Sequence, residues 1–362
     1  MEENMLREIV AHFNIYEEVS LIKPLGNGLI NETFIIETNN QQKKYVLQRI
    51  NNAVFQDVDL LQHNIEIVTS HIRSKLISLG EADIERKSLE FIKADNGKTY
   101  FKDAQKKYWR ISVFINDSIT KEEVNTSTSY ECGRMFGNFQ WMLSDVKEQL
   151  GETIPNFHNI ELRVHQLQDA VKADVKGRVK EVADIVNALL NDADKMCLSE
   201  QLYRQGALPK RLCHCDTKVS NMLFDKYDNP LCVIDLDTVM PSFIFSDYGD
   251  FLRTSANYVA EDSPKINEVG LKEDIFESFT GGYIETASRF LTEVEIKHLP
   301  YAAALFPYMQ CVRFLADYIN GDTYYKIMYP EHNLIRSQNQ LALYNDMIAH
   351  EKMMNEFIKK FI

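Results

Sequence analysis

Tryptophan is scarce in this chain, basic residues are outnumbered, and long apolar runs do not occur. Two tryptophans among 362 residues leave little material for the aromatic cage that recognises a quaternary ammonium group. Forty lysines and arginines face 53 aspartates and glutamates, a formal net charge of −13, so the basic footprint of a nucleic-acid binder is missing. The acidic balance stays compatible with a cationic small substrate. No apolar run approaches the roughly 20 residues of a membrane span. The opening MEENMLREIV is acidic and amphipathic and lacks the apolar centre of a secretory signal. These absences lead to the expectation of a cytoplasmic protein with neither nucleic acid nor membrane as partner. Cysteine is present six times (132, 197, 213, 215, 232 and 311), but without regular spacing. Cys213 and Cys215 flank His214 with no second pair at zinc-ligand distance, so reduced thiols in a core are expected.

What is there divides into two patterns. In LIKPLGNGLINETFIIET a Gly-Asn-Gly turn separates two apolar stretches, and KKYVLQRI follows a polar NNQQ turn, a three-strand signal. Val58, Leu61, Ile65, Val68 and Ile72 recur at spacings of three and four, which predicts an amphipathic helix closed by Gly80. SLEFIKA and YWRISVFI read as two further strands. From about residue 120 long helical periods take over, including one continuous stretch from ELRVHQLQDAV to DIVNALLN, interrupted by short strands and loops at 211–240. The length suits two domains, with an expected boundary between 1–116 and 117–362 and a connector near Asn116 to Thr120.

The densest chemistry is HCDTKVSN, residues 214–221. Phosphoryl transfer from a nucleotide needs a carboxylate to take the acceptor's proton, oxygen ligands for magnesium, and a cation for the transferring group. Asp216, Asn221 and Lys218 are residues of those types. Two short strands follow, Met222–Phe224 and Leu231–Ile234, joined by DKYDNP, whose Asp, Asn and Pro suit a hairpin turn. Strand alternation would put Asp235 and Asp237 on one face, about 7 Å apart.

H-x-D-x-K-x-x-N followed by a hairpin and I-D-L resembles the protein-kinase-like superfamily, and more narrowly the aminoglycoside-phosphotransferase family of small-molecule kinases. The resemblance implies an α+β, two-lobed fold: a small antiparallel-sheet N-terminal lobe with one helix, and a large, mainly helical C-terminal lobe. It implies ATP and Mg2+ as cofactors. By position, Asp216 matches the catalytic base, Lys218 a lysine near the γ-phosphate, and Asn221 and Asp235 the magnesium ligands; Asp237 is a further candidate ligand. His214 is expected to brace the loop. Gly26, Asn27 and Gly28 match a glycine-rich loop over the phosphates. Where the family keeps a strand lysine this chain has Gln48, with Arg49 next to it on the opposite face and Glu66 as a candidate partner for that arginine. The backbone of Phe114 and Ile115 is expected to meet the adenine edge. SDYGDFLR resembles the family's G-D-x-x-R segment, in which Asp247 and Asp250 would brace the catalytic loop.

LGNGLINETFIIE, HCDTKVSNMLFD, VIDLDTVMPS and RFLADYINGDTYY are similar to segments of N-acetylhexosamine 1-kinases, which phosphorylate the anomeric hydroxyl of N-acetylglucosamine or N-acetylgalactosamine. That resemblance implies a sugar kinase; a monomer is expected. Arg313, Tyr324 and Asn31 are the candidate substrate contacts, since a sugar site needs stacking surfaces and bidentate polar groups. Two rivals stay open. One is a kinase for a cationic or amino-alcohol acceptor (aminoglycoside, choline, homoserine), which would need an aromatic cage or an acidic pocket. The other is a non-catalytic nucleotide-binding pseudokinase, suggested by Gln48 and opposed by the retention of Asp216, Asn221 and Asp235.

Overall fold

The computed structural model describes residues 3–26, 30–39 and 43–361. It divides into two compact units. The first takes in Met1–Thr120, Asp145–Pro155 and Met222–Met240, and the second Lys121–Ser144, Asn156–Asn221 and Pro241–Ile362.

In the first unit β1 (Val19–Pro24), β2 (Glu32–Thr38), β3 (Lys44–Ile50), β4 (Phe91–Ile92), β5 (Phe101–Lys102) and β6 (Tyr108–Val113) form one sheet. Its order is β1-β2-β3-β6-β4 with β5 also on β6, and the pairs are antiparallel. Alternation decides what each face carries. Phe34, Ile36, Tyr45, Leu47, Trp109 and Ile111 form a core with Leu6, Ile9 and Val10 of a helix at Glu3–Val10. That short helix is an addition to the one expected: three apolar side chains on one stripe are enough to seat it on the sheet. The expected helix runs Val58–Ser78, capped by the Asp57 side chain on the Leu60 amide, and burying Leu61, Ile65, Val68, Ile72 and Leu76. Gly80 closes it in a left-handed conformation (φ 70°), and the Glu81 amide returns to the Leu76 carbonyl. The strands Met222–Phe224 and Pro230–Val233 make the expected hairpin, with the Asp225 carboxylate accepting from the Tyr227 and Asn229 amides in its turn. Mutual backbone bonds between Ile119 and Phe224 fasten it to the end of the first segment.

The second unit is mainly helical. Its centre is the apolar helix Leu299–Asn320, against which Ile160–Ala173, Phe245–Ser255 and His332–Ala349 pack. The helices Thr126–Leu143 and Glu273–Ala287 approach closely through glycines: a Cβ on Gly133 would lie 2.1 Å from the Phe279 carbonyl oxygen, and one on Gly282 2.1 Å from that of Tyr130. The helical stretch expected from ELRVHQLQDAV to DIVNALLN is two helices, Ile160–Ala173 and Ala183–Met196. The break is at Asp174, which is left-handed (φ 38°) and ends the first helix. All six cysteines are free and buried. The expected α+β class holds: a small antiparallel sheet region and a larger helical part. Among the described residues no helix is long and apolar enough to cross a membrane.

Candidate active site

In the second unit the strand Arg211–Cys213 delivers His214, Cys215 and Asp216 into a loop that closes in the single turn Val219–Asn221. Cys215 is left-handed (φ 64°), a conformation a non-glycine residue keeps only under outside restraint. The restraint is Asp247. Its carboxylate accepts the His214 amide (2.9 Å), the Cys215 amide (2.8 Å) and the Gln140 side chain (2.8 Å), while its carbonyl accepts the Thr217 hydroxyl (2.7 Å). Burial pushes the Asp247 carboxyl upward, against the stabilising pull of His214 and those donors. The bracing role expected of Asp247 is thus a set of named bonds. Asp250 does something else: it pairs with Arg253 (2.9 Å), and Arg253 reaches on to Glu261 (2.5 Å). His214 is fully buried between the edges of Phe136 and Phe139, and its Nδ1 accepts the Asp216 amide at 3.2 Å.

Asp216 stands at the open side of this loop with its side chain 23% exposed and 2.8 Å from the Lys218 ammonium. Asn221 Nδ2 donates both to its carbonyl (2.8 Å) and to its carboxylate (3.2 Å). Burial works against its ionisation, but Lys218, His214 and the Asn221 amide outweigh it and hold the carboxyl below the usual aspartate value. A charged carboxylate at the loop's open side can accept a proton. The Asn221 amide nitrogen is directed at Asp216, and its Oδ1 accepts no hydrogen bond among the described residues.

The first unit holds the other motif residues. The expected strand alternation through Asp237 does not hold: the strand ends at Val233, Asp235 is left-handed (φ 57°, ψ 58°), and Leu236–Thr238 is a 3-10 turn. The two carboxylates therefore differ in setting. Asp235 is exposed. Asp237, expected as a metal ligand, is 3% exposed, with one oxygen 2.5 Å from Arg110 Nη1 and the other accepting from the Asn31 amide at 2.7 Å. The Thr153 hydroxyl holds its carbonyl (2.9 Å), and Asn64 holds that of Val239 (3.0 Å). Asn31, expected at the substrate, is committed at its other end as well, where Oδ1 accepts the Asn51 amide (2.9 Å).

Sheet register explains the strand position that lacks a lysine. Gln48 lies directly between Thr33 and Arg110, and Arg49 between Glu32 and Trp109. Arg110 Nε donates to Gln48 Oε1 at 3.0 Å, so a cation does occupy this face, one strand over. Arg49 is on the opposite face and pairs with Glu32 instead of the expected Glu66, which takes the Thr99 hydroxyl (2.6 Å). Of the glycine-rich turn, Gly26 is left-handed (φ 67°), while Asn27 and Gly28 lie outside the described residues. The Phe114 amide bonds to the Lys44 carbonyl (2.9 Å), and the Ile115 carbonyl accepts the Ser118 hydroxyl (2.6 Å).

Residues 21–278, well over half of the chain, match APH, the phosphotransferase enzyme family. The chain belongs to that family. Three solved structures agree on the fold of this phosphotransferase at 10–13% identity. An aminoglycoside phosphotransferase from Alicyclobacillus acidocaldarius is 10% identical with a TM-score of 0.62, over 98% of this chain and 96% of that one. A choline kinase from Cryptosporidium parvum is 13% identical with a TM-score of 0.58, over 100% and 98%. A spectinomycin phosphotransferase solved with ADP and spectinomycin is 12% identical with a TM-score of 0.52, over 100% and 98%.

A cavity of about 460 Å³ opens in the second unit of this phosphotransferase. One face of Ile160–Ala173 (Arg163, Gln166), one face of Leu299–Asn320 (Arg313, Asp317) and the following loop (Tyr324, Tyr325) line it. Both sequence candidates, Arg313 and Tyr324, thus share one wall, and Tyr324 is 69% exposed. The Arg313 guanidinium lies over the rings of Phe157, Tyr324 and Tyr325 at 5.5, 6.0 and 5.5 Å. Asp317 is on the same helix face as Arg313 but does not pair with it. Its carboxylate accepts the amides of Thr323, Tyr324 and Tyr325 and the Asn333 side chain, all at 2.9–3.0 Å, and so shapes the loop. Arg163 is the residue that sequence reading missed. The available signal was a basic side chain on the stripe that also carries Ala170 and Ala173.

Proposed function

We propose that this phosphotransferase uses ATP and Mg2+ to phosphorylate the anomeric hydroxyl of an N-acetylhexosamine. The observation that carries the donor half is Asp216, a carboxylate kept ionised beside Lys218 on a loop clamped by Asp247. In this reading Asp216 accepts the hydroxyl proton as the anomeric oxygen bonds to the γ-phosphorus and the bond to ADP breaks. Lys218 offsets charge on the transferred group. ADP in the spectinomycin phosphotransferase of the same fold supports a nucleotide donor. Gly26, Gln48 and the Phe114–Ile115 backbone are the proposed nucleotide contacts.

The donor set fits magnesium, which takes carboxylate and amide oxygens. Asn221 offers Oδ1, and Asp235 an exposed carboxylate. Each is a proposed ligand in its own unit, and magnesium held by such oxygens would supply charge neutralisation. Asp237 is left out of the ligand set because Arg110 and Asn31 hold its oxygens.

The sugar half rests on resemblance and on the cavity. Arg313 and Tyr324 offer a guanidinium fork and a stacking surface; the wall carries two arginines, and of its two carboxylates Asp317 is occupied by the loop amides while Asp169 is exposed. The test is ADP release with magnesium-ATP across N-acetylglucosamine, N-acetylgalactosamine, glucose, choline, homoserine and kanamycin, with the product bond located by phosphorus NMR. Turnover confined to the acetamido sugars, with an anomeric phosphate, is expected. Turnover on a cationic acceptor alone would discard the sugar and keep the donor half.

A further inference from the structure

In a chain with 53 acidic and 40 basic residues, two guanidiniums line this cavity together with the carboxylates of Asp169 and Asp317. Arg163 donates to Gln166 (3.0 Å) and to the carbonyls of Asn156 (3.1 Å) and Phe157 (2.8 Å). Its Nε is buried and finds no hydrogen-bond acceptor. Arg313 donates to Gln310 (3.2 Å) and otherwise rests on rings. Among the described residues no carboxylate forms an ion pair with either. Asp317, on the same wall, is occupied by the loop amides, and Asp169 sits at the cavity's exposed lip.

The two guanidiniums act on each other and on the histidine beside them. Burial and the neighbouring Arg313 pull Arg163 down to about 10, and burial with Arg313 and Arg163 pushes His158 well below the usual imidazole value. His158 is therefore neutral, packed on Phe157 and Phe306. Two like charges sharing a partly buried wall cost free energy, and a bound anion would relieve it with charge-assisted hydrogen bonds in fork geometry.

We propose that Arg163 and Arg313 form an anion subsite that takes the phosphate or carboxylate group of a small acidic ligand. Placing that subsite in the acceptor pocket rests on the function proposed above; the subsite itself does not. Combined, the two readings give an enzyme that binds a phosphate-bearing N-acetylhexosamine in preference to the neutral sugar.

The experiment is calorimetry on the full chain with saturating ADP, which blocks phosphate sites of the nucleotide. The ligands are inorganic phosphate, N-acetylglucosamine and N-acetylglucosamine 6-phosphate. The phosphorylated sugar should bind at least about tenfold more tightly than the neutral one, the range of a charge-assisted bond, and inorganic phosphate should compete with it. Arg163→Gln should remove that preference while leaving the ADP Kd unchanged; Arg163→Lys, which keeps the charge without the fork, should retain part of it. Should Arg163→Gln fail to fold, Arg313→Gln reads the same preference. Equal affinity for both sugars, or a preference that survives Arg163→Gln, overturns the subsite even if the acetamido sugars turn over. Phosphate binding that depends on Arg163, with no binding or turnover of any acetamido sugar, upholds the subsite and discards the acceptor.

Discussion

Replacing Arg110 with methionine tests how the loop that carries Asp235 is held. Arg110 is 2% exposed and Asp237 3%, so the pair is cut off from water. Nη1 and Oδ1 are 2.5 Å apart, yet neither atom has a hydrogen bond of ordinary geometry, which makes this a charge contact. Methionine fills similar space but leaves the Asp237 carboxylate buried with only the Asn31 amide beside it. Breaking a buried pair on one side costs roughly 3–5 kcal/mol, because the uncompensated charge is expensive and not because the pair was strongly stabilising. At about 2–4 °C per kcal/mol for a unit of this size, the melting temperature of the first unit should fall by roughly 6–20 °C. The assay is thermal unfolding by circular dichroism, with kcat measured well below the transition. The double variant Arg110→Met/Asp237→Leu removes both charges and should recover most of the stability. It should not recover kcat, because the turn two residues beyond Asp235 has lost its anchor. A single variant that loses under about 1 kcal/mol, or a double variant no more stable than the single one, would refute the reasoning.

Asp247→Ala strips the His214 and Cys215 amides and the Gln140 side chain of their acceptor, at roughly 1–3 kcal/mol for each buried donor left unpaired; urea titration should show the loss, and Asp247→Asn should lose less. Asp216→Asn should reduce kcat by at least about a hundredfold with the ATP Kd preserved, and near-full turnover would sink its assignment as the base. Because Asp216 is held below the ordinary aspartate value, kcat should stay level as pH falls through the mildly acidic range and drop only below that value; Lys218→Met removes the main stabilising charge and should move the acid limb upward. The same sign makes the stability contribution of Asp216 fully present above the unfolded aspartate value and lost as pH falls through the folded one. Gly249→Ala puts a methyl 2.3 Å from the Ala302 carbonyl oxygen and 2.5 Å from the Phe306 ring, so helix separation must grow and stability should drop by about 1–3 kcal/mol in thermal unfolding.

Local patterns in the sequence determined a good deal of this protein. The helix over Val58–Ser78 and its glycine stop, the hairpin after Asn221, and the loop from His214 to Asn221 were legible because caps, turns and 3.6-residue periodicity act between residues close in the chain. Asp247 was legible too, as part of a motif. Three features belong to the tertiary structure alone. That Arg110 sits beside Gln48 follows from antiparallel register between strands about sixty residues apart. That Asp237 is buried and paired while Asp235 is exposed follows from a left-handed residue that ends strand alternation, held by Asn31, Asn64, Arg110 and Thr153 from four separate segments. That Arg163 and Arg313 share a wall, with Asp317 turned to the loop amides, follows from packing two helices whose sequences are 150 residues apart. Short-range periodicity determines which elements form; burial and charge between distant segments decide which side chains meet.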